Sequence, residues 1–306
     1  MRPKAKKSLG QNFLIDQNIR RKIISACSFK PTDYVLEIGA GCGELTGFIA
    51  EKVAGVYALE VDANLLTPLR RNLKEYANIK IIHRDILKFN LPPSFAAGRR
   101  IKVLGNIPYY ISTPIIERLF RLRRRIDTIF ITVQKEFGCR MAASPGSKEY
   151  GRFSCFVQYH AQPEVLFHIK KGSFYPVPKV DSSFMKMKIR KKPLLKPAQE
   201  ALLFKIIRTA FNQRRKTLRN SLKSLLTPDE LGSFFSKSRI DKNIRPEDLS
   251  LLDFSHLATL KTRGRFCGNS ENQKNQGTLL GFQNPEAKTQ KRPPVSQKKL
   301  LTKALF

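Results

Sequence analysis

The chain has 306 residues, enough for one large α/β core and a smaller second domain. Its 57 Lys and Arg against 24 Asp and Glu leave a formal charge of +33, with a pI near 10.3. That excess needs a polyanionic partner; nucleic acid suits it better than an anionic membrane, and no apolar stretch approaches the ~20 residues of a bilayer span.

From the N-terminus, Met1–Lys7 is basic but leads into no apolar run, so it is not read as a secretory signal. Short β-rich segments then alternate with helical patterns, which predicts a mostly parallel sheet covered by helices. The predicted strands are Tyr34–Ile38, Val56–Glu60, Ile79–His83, Ile101–Leu104 and Thr128–Val133. Leu166–Ile169 and Phe184–Ile189 follow as a late antiparallel pair. Helices are predicted at Glu44–Lys52, Ala63–Tyr76, Thr113–Leu122 and Phe153–Tyr159, with Thr113-Pro114 as N-cap and first helical residue. A Lys/Pro-rich linker around Lys191-Lys192-Pro193 ends a domain of residues 1–192. Residues 193–261 are expected to be a small helical domain, and the Gly-, Asn-, Gln- and Lys-rich residues 262–306 a disordered basic tail. The five cysteines (27, 42, 139, 155 and 267) lack a CxxC pair and the four histidines are scattered, so reduced thiols and no metal site are expected.

Two strand ends carry chemistry. The first strand runs into Gly39-Ala40-Gly41-Cys42-Gly43, a tight turn that lets backbone approach a ligand closely. Glu60 closes the second strand, where a carboxylate accepts from ribose hydroxyls, and Asp85 follows the third, where one can meet an adenine amine. Without a Gly-Lys-Ser/Thr the turn does not suit a nucleoside triphosphate. Glu60 disfavours a 2′-phosphate, and S-adenosylmethionine, with its ribose and adenine, fits better than NAD.

Asn106-Ile107-Pro108-Tyr109 follows the fourth strand. The N6 amine of adenine is a poor nucleophile because its lone pair is delocalised into the ring. Two acceptors, the Asn106 side-chain oxygen and the Pro108 carbonyl, can draw that nitrogen towards tetrahedral geometry. Tyr109 can stack on the base, at about 1–3 kcal/mol per stacked base. Together with the glycine turn, the tetrapeptide points to methyl transfer onto adenine nitrogen.

The sequence closely resembles the KsgA family of small-subunit ribosomal RNA adenine dimethyltransferases, from about Ser8 to Leu260. The resemblance is carried by Leu9–Leu14 with Asp16, Glu37–Gly43, Glu60–Asp62, Asp85, Asn106–Tyr109 and Gln134–Glu136. It continues through Tyr150–Ser154, Phe174–Ser182, Phe211–Asn220 and Arg245–Leu249. It implies a Rossmann-like class I methyltransferase sheet, mostly parallel with one antiparallel strand, followed by a small α-helical domain. It also implies Asn12 and Leu14 beside the methionine part of the cofactor, Gly39 and Gly41 at the turn, Glu60 on the ribose and Asp85 at the adenine. Asn106 would touch cofactor and target, and Phe174 would be a second aromatic on a base flipped from its stack. The implied reaction is dimethylation of two adjacent adenosines in the 3′-terminal hairpin of 16S rRNA, in an immature 30S subunit, by a cytoplasmic monomer. Residues 262–306 and the unusually high charge depart from the family pattern.

Arg208, Arg215, Arg219 and Lys223, flanked by Arg214 and Lys216, are expected to share one face of a continuous helix. Phe211, Leu218 and Leu222 would face the other way, leaving the basic side to track RNA phosphates. Two alternatives stay open on sequence: an Erm-type methyltransferase of 23S rRNA, and a non-catalytic assembly or transcription factor that keeps the fold.

Overall fold

Seven strands line up in one sheet: β1 (Tyr34–Ile38), β2 (Gly55–Glu60), β3 (Ile79–His83), β4 (Ile101–Asn106), β5 (Ile126–Gln134), β6 (Ala161–Ile169) and β7 (Ser182–Ile189). This computed structural model describes residues 5–92, 95–213 and 216–266. The strand order is β3-β2-β1-β4-β5-β7-β6. β7 alone runs against its neighbours, pairing antiparallel with both β5 and β6. The central strands read as near-continuous apolar runs because helices cover both sheet faces. Val35, Leu36, Val103, Ile129 and Ile131 are all fully buried.

Among the described residues, six α-helices belong to this unit: α1 (Gln17–Cys27), α2 (Glu44–Ala50), α3 (Ala63–Asn72), α4 (Ser112–Arg121), α5 (Lys135–Ala142) and α6 (Arg152–His160). α1 starts where the Asp16 carboxylate accepts from the amides of Asn18 and Ile19, and it buries Ile23 and Cys27. A two-residue ribbon pairs Phe13–Leu14 antiparallel with Phe174–Tyr175. The order reverses between β1 and β4, which opens a crevice at the carboxyl ends of the strands.

Some boundaries differ from the sequence expectation. α4 begins at Ser112, not at a Thr113 cap, because the 3-10 turn Tyr109–Ile111 runs straight into it. The Ser112 hydroxyl donates to the Pro108 carbonyl at 3.2 Å. α3 stops at Asn72, whose side-chain amide donates to the Cys42 carbonyl at 2.9 Å and ties the helix end to the glycine turn.

The chain divides after Leu194 into a second compact unit. This unit holds α7 (Pro197–Phe211), α8 (Leu218–Leu222), α9 (Pro228–Ser238) and α10 (Leu251–Phe266). Leu203, Ile206, Leu218, Leu222, Phe234, Phe254 and Leu257 fill its core. The expected continuous basic helix is broken. α7 ends at Phe211, and Thr217 starts α8 by accepting from the Asn220 amide, so Arg208 stands on a different helix from Arg219, and Lys223 caps the end of that second helix. Arg208, Lys216, Arg219 and Lys223 are exposed, while Phe211, Leu218 and Leu222 are buried. Arg214 and Arg215 lie outside the described residues. Helix α10 continues to Phe266, into the segment expected as tail; residues 267–306 also lie outside the described residues.

Candidate active site

At the crevice, a cleft of about 780 Å³, counting its open mouth, is lined by Leu65 of α3, Ile115 of α4 and residues from five further segments. Those segments are the N-terminal stretch Leu9–Phe13, the glycine turn, the β2 end from Leu59 to Val61, Arg84–Ile86 after β3, and Asn106–Tyr109 with Ile111 after β4.

The glycine turn is held by backbone. Gly39, Gly41 and Gly43 take positive φ values of 75°, 62° and 92°, which side chains disfavour. The amides of Gly39 and Ala40 both donate to the Leu59 carbonyl, at 2.8 and 3.2 Å. Glu60, only 4% exposed, completes the turn: one carboxylate oxygen accepts from Gly41 N at 2.8 Å, the other from Val61 N and Asp62 N at 2.9 and 2.8 Å. Burial raises the Glu60 pKa against those three amides, and the Asp62 charge adds to the rise. A carboxylate has about four acceptor positions, so Glu60 keeps capacity for a ligand hydroxyl. Asp85 accepts from Leu87 N through Oδ1 at 2.9 Å.

Asp62 has a different task. It is 2% exposed and accepts from Lys6 Nζ at 2.5 Å and from Gln11 Nε2 at 3.0 Å. Burial alone would raise its pKa, but the bonds from Lys6, Gln11 and the Asn64 amide, with the Lys6 charge, hold it below the usual carboxylate value. This clamp fastens the N-terminal stretch along one side of the cleft. The Tyr110 ring seats the same stretch from outside: a Cβ on Gly10 would come within 2.7 Å of it.

On the acceptor side, Asn106 donates through Nδ2 to the Asn12 carbonyl at 2.8 Å. That bond fixes the amide orientation and leaves Oδ1 as the acceptor in the cleft. The Pro108 carbonyl already meets two donors at long distances, Ser112 Oγ at 3.2 Å and Ile111 N at 3.3 Å. The Tyr109 hydroxyl lies 2.6 Å from the hydroxyl of fully buried Ser182, at the start of β7. Burial raises the Tyr109 pKa, with the Ser182 bond opposing it, so the phenol stays neutral near pH 7.

The structure therefore brings together Asn12, Gly39, Gly41, Glu60, Asp85, Asn106, Pro108 and Tyr109. It does not bring Leu14 or Phe174 to the cleft. Leu14 is 7% exposed and Phe174 1%, and both sit in the core cluster with Ile23, Ile169 and Phe184. Their two-residue ribbon turns both side chains inwards, whereas Tyr175 beside them is 40% exposed. Sequence reasoning missed Phe13 and Gln11 as cleft residues and Ser182 as the partner of Tyr109. Phe13 and Gln11 lie in a motif that was already conspicuous. Ser182 carries no local signal, because only strand pairing brings it to Tyr109.

Behind the turn, Glu37 is 3% exposed, and its Oε2 has no hydrogen-bond partner among the described residues. Burial pushes its pKa up to about 8, and the charges of Glu44 and Glu60 add to the effect.

A family model described as ribosomal RNA adenine dimethylase matches residues 2–263. The ribosomal RNA small subunit methyltransferase A of Alkaliphilus metalliredigens is 41% identical over 257 residues, covering 82% of this chain and 90% of that protein. The protein of the same name from Clostridium botulinum (strain Okra) is 39% identical over 256 residues, covering 83% and 93%. Among solved structures, a dimethyladenosine transferase from Plasmodium falciparum is similar at TM-score 0.70 and 25% identity, covering 83% of this chain and 98% of that one. The 23S rRNA methyltransferase ErmE is similar at TM-score 0.68 and 25% identity, covering 81% and 99%. With the family model spanning both units and these relatives covering most of its length, the chain belongs to the ribosomal RNA adenine dimethylase family of S-adenosylmethionine-dependent methyltransferases.

Proposed function

We propose that this protein dimethylates the N6 atoms of two adjacent adenosines in the 3′-terminal hairpin of 16S rRNA, acting as a cytoplasmic monomer on the immature small ribosomal subunit. The observation that carries the reading is the Asn106 amide. Its nitrogen is occupied by the Asn12 carbonyl, so its oxygen is the atom offered to an exocyclic amine.

The cleft fits S-adenosylmethionine. Three glycines at positive φ give the turn an open backbone surface, and Glu60 and Asp85 stand at successive strand ends with acceptor capacity for a ribose and an adenine amine. Leu59, Leu65, Ile86 and Ile107 supply apolar walls for a flat ring. When bound, that donor supplies an electrophilic methyl group on a sulfonium.

The protein's part is to prepare the nucleophile. Asn106 Oδ1 and the Pro108 carbonyl accept from the two N6 hydrogens and turn the nitrogen lone pair towards the methyl carbon. Because the Pro108 carbonyl is already bonded to Ser112 and Ile111, the amine shares it at the expense of those long contacts. Tyr109, its hydroxyl tied to Ser182, offers a ring face to the flipped base. No strong base is needed, since the amine proton leaves once the sulfonium charge is discharged. Alignment of nitrogen, methyl carbon and sulfur then supplies most of the acceleration. The helical unit is proposed to hold the RNA, with Arg208, Lys216, Arg219 and Lys223 as exposed contacts, together with Arg214 and Arg215.

The test is methylation of isolated 30S particles lacking the modification, set against naked 23S RNA. Two N6,N6-dimethyladenosines in the small-subunit RNA are expected. Product confined to 23S RNA would overturn the substrate assignment.

A further inference from the structure

At the opposite end of the strands from the cleft, Arg100, Arg123, Arg124, Arg190, Lys191 and Lys192 line a second concavity of about 740 Å³, its open mouth included. Their positions follow from topology. Arg100 precedes β4, the two arginines after α4 precede β5, and the last three follow antiparallel β7. All therefore gather at the amino ends of the parallel strands. Six residues of strand rise separate Arg100 from Asn106, so the two sites lie roughly 20 Å apart.

Several of these cations are pre-set. Arg100 donates to the carbonyls of Ile126 and Arg123, Arg123 to that of Phe120 at 3.1 Å, and Arg190 to that of Gln158 at 2.9 Å. Such bonds hold guanidinium groups through neutral carbonyls and leave the positive charge uncompensated. Among the described residues, no carboxylate lines the concavity. Asp127 lies within reach of the Arg100 charge but is already paired with Lys188 at 2.6 Å. His160 on the wall is held neutral, its pKa pushed down to about 4 by burial and by the Arg123 charge. A concave surface with charge of one sign focuses its field on a polyanion.

We propose that this cluster binds phosphodiester groups of the RNA substrate at a point distant from the methylated adenosines. The inference rests on the RNA-substrate reading above and adds a contact on the methyltransferase unit itself, separate from the base-holding cleft and from the helical unit. Planar guanidinium groups match the geometry of phosphate oxygens, and the exposed Arg124, Lys191 and Lys192 at the mouth are free to follow a backbone.

The test removes these three exposed charges together (Arg124→Gln, Lys191→Gln, Lys192→Gln) in the full chain. A charge-matched control replaces Lys52, Arg70 and Lys80, also exposed, with Gln. Binding to a small-subunit RNA transcript is measured against KCl concentration. Each lost phosphate contact lowers the slope of log K against log salt by about 0.7–0.9, so the cluster variant is expected to lose roughly 2 in slope and about tenfold in affinity near 0.1 M salt. The control should change less than about twofold, and S-adenosylmethionine affinity should be the same in all three proteins. Equal slopes in cluster variant and wild type, or equal losses in variant and control, would overturn the assignment. Because binding rather than methylation is read, failure to methylate 30S particles would count against the proposed function and not against the cluster.

Discussion

The two halves of the cleft are built differently. The donor half, around Gly39–Gly43, is held by backbone: two amides on the Leu59 carbonyl and three on the Glu60 carboxylate. The acceptor half depends on two side-chain orientations, each set by one bond from a distant segment: Asn12 to Asn106, and Ser182 to Tyr109. The donor half thus resists change as a unit, whereas the acceptor half can lose its chemistry without losing its fold. Substitutions in the donor half should register in donor affinity and stability; those in the acceptor half should register in turnover.

The largest effect is expected at Asn106. Asn106→Ala removes the free acceptor and should lower methyl transfer at least ~100-fold in single-turnover assays, the scale of losing one positioned polar group at a reacting centre. Glu60→Gln comes next. An amide nitrogen would then face a backbone N–H, so the variant should be less stable by about 1.5–3 kcal/mol and bind S-adenosylmethionine at least ~10-fold more weakly, measured by denaturant unfolding and calorimetry.

Ser182→Ala should be milder, with a ~3–10-fold loss of transfer and nearly unchanged donor affinity, because Tyr109 keeps its ring and loses only its tether. If the tether is the whole effect, Tyr109→Phe and the double variant should lose no more than Ser182→Ala. The smallest effect concerns Glu37. Its folded pKa of about 8 lies above the ordinary carboxyl value of 4.5. The folded state therefore holds a proton that the unfolded chain releases, and this stability is present below about pH 4.5 and lost as the pH rises towards 8. Thermal unfolding of Glu37→Gln against wild type should shift in favour of the variant between pH 5 and pH 8. A constant difference across that range would remove the neutral buried carboxyl from the account.

Much of the donor half is legible in sequence because strand ends and glycines are local signals. Tyr34–Ile38 and Ile79–His83 form as expected, with the glycine turn after the first and Asp85 after the second, at the strand ends where an α/β crevice opens. What stays hidden depends on pairing. Ala161–Ile169 starts five residues before its apolar end suggests, because it is the sheet's edge strand, where Pro163 is tolerated. The resemblance implies Phe174 as a second aromatic on the flipped base, yet the ribbon with Phe13–Leu14 buries it in the core. The break between Phe211 and Leu218 had a local signal in Thr217, a good N-cap before Leu218. The regular spacing of the arginines masked it.

The most direct test of the division between the halves uses one preparation of the Asn106→Ala protein. S-adenosylmethionine affinity and single-turnover transfer to small-subunit RNA are measured side by side with wild type. The expected result is donor affinity within about tenfold of wild type, as for loss of one hydrogen bond, and transfer reduced by ~100-fold or more. Transfer at the wild-type rate, or a loss of transfer fully matched by loss of donor binding, would contradict it.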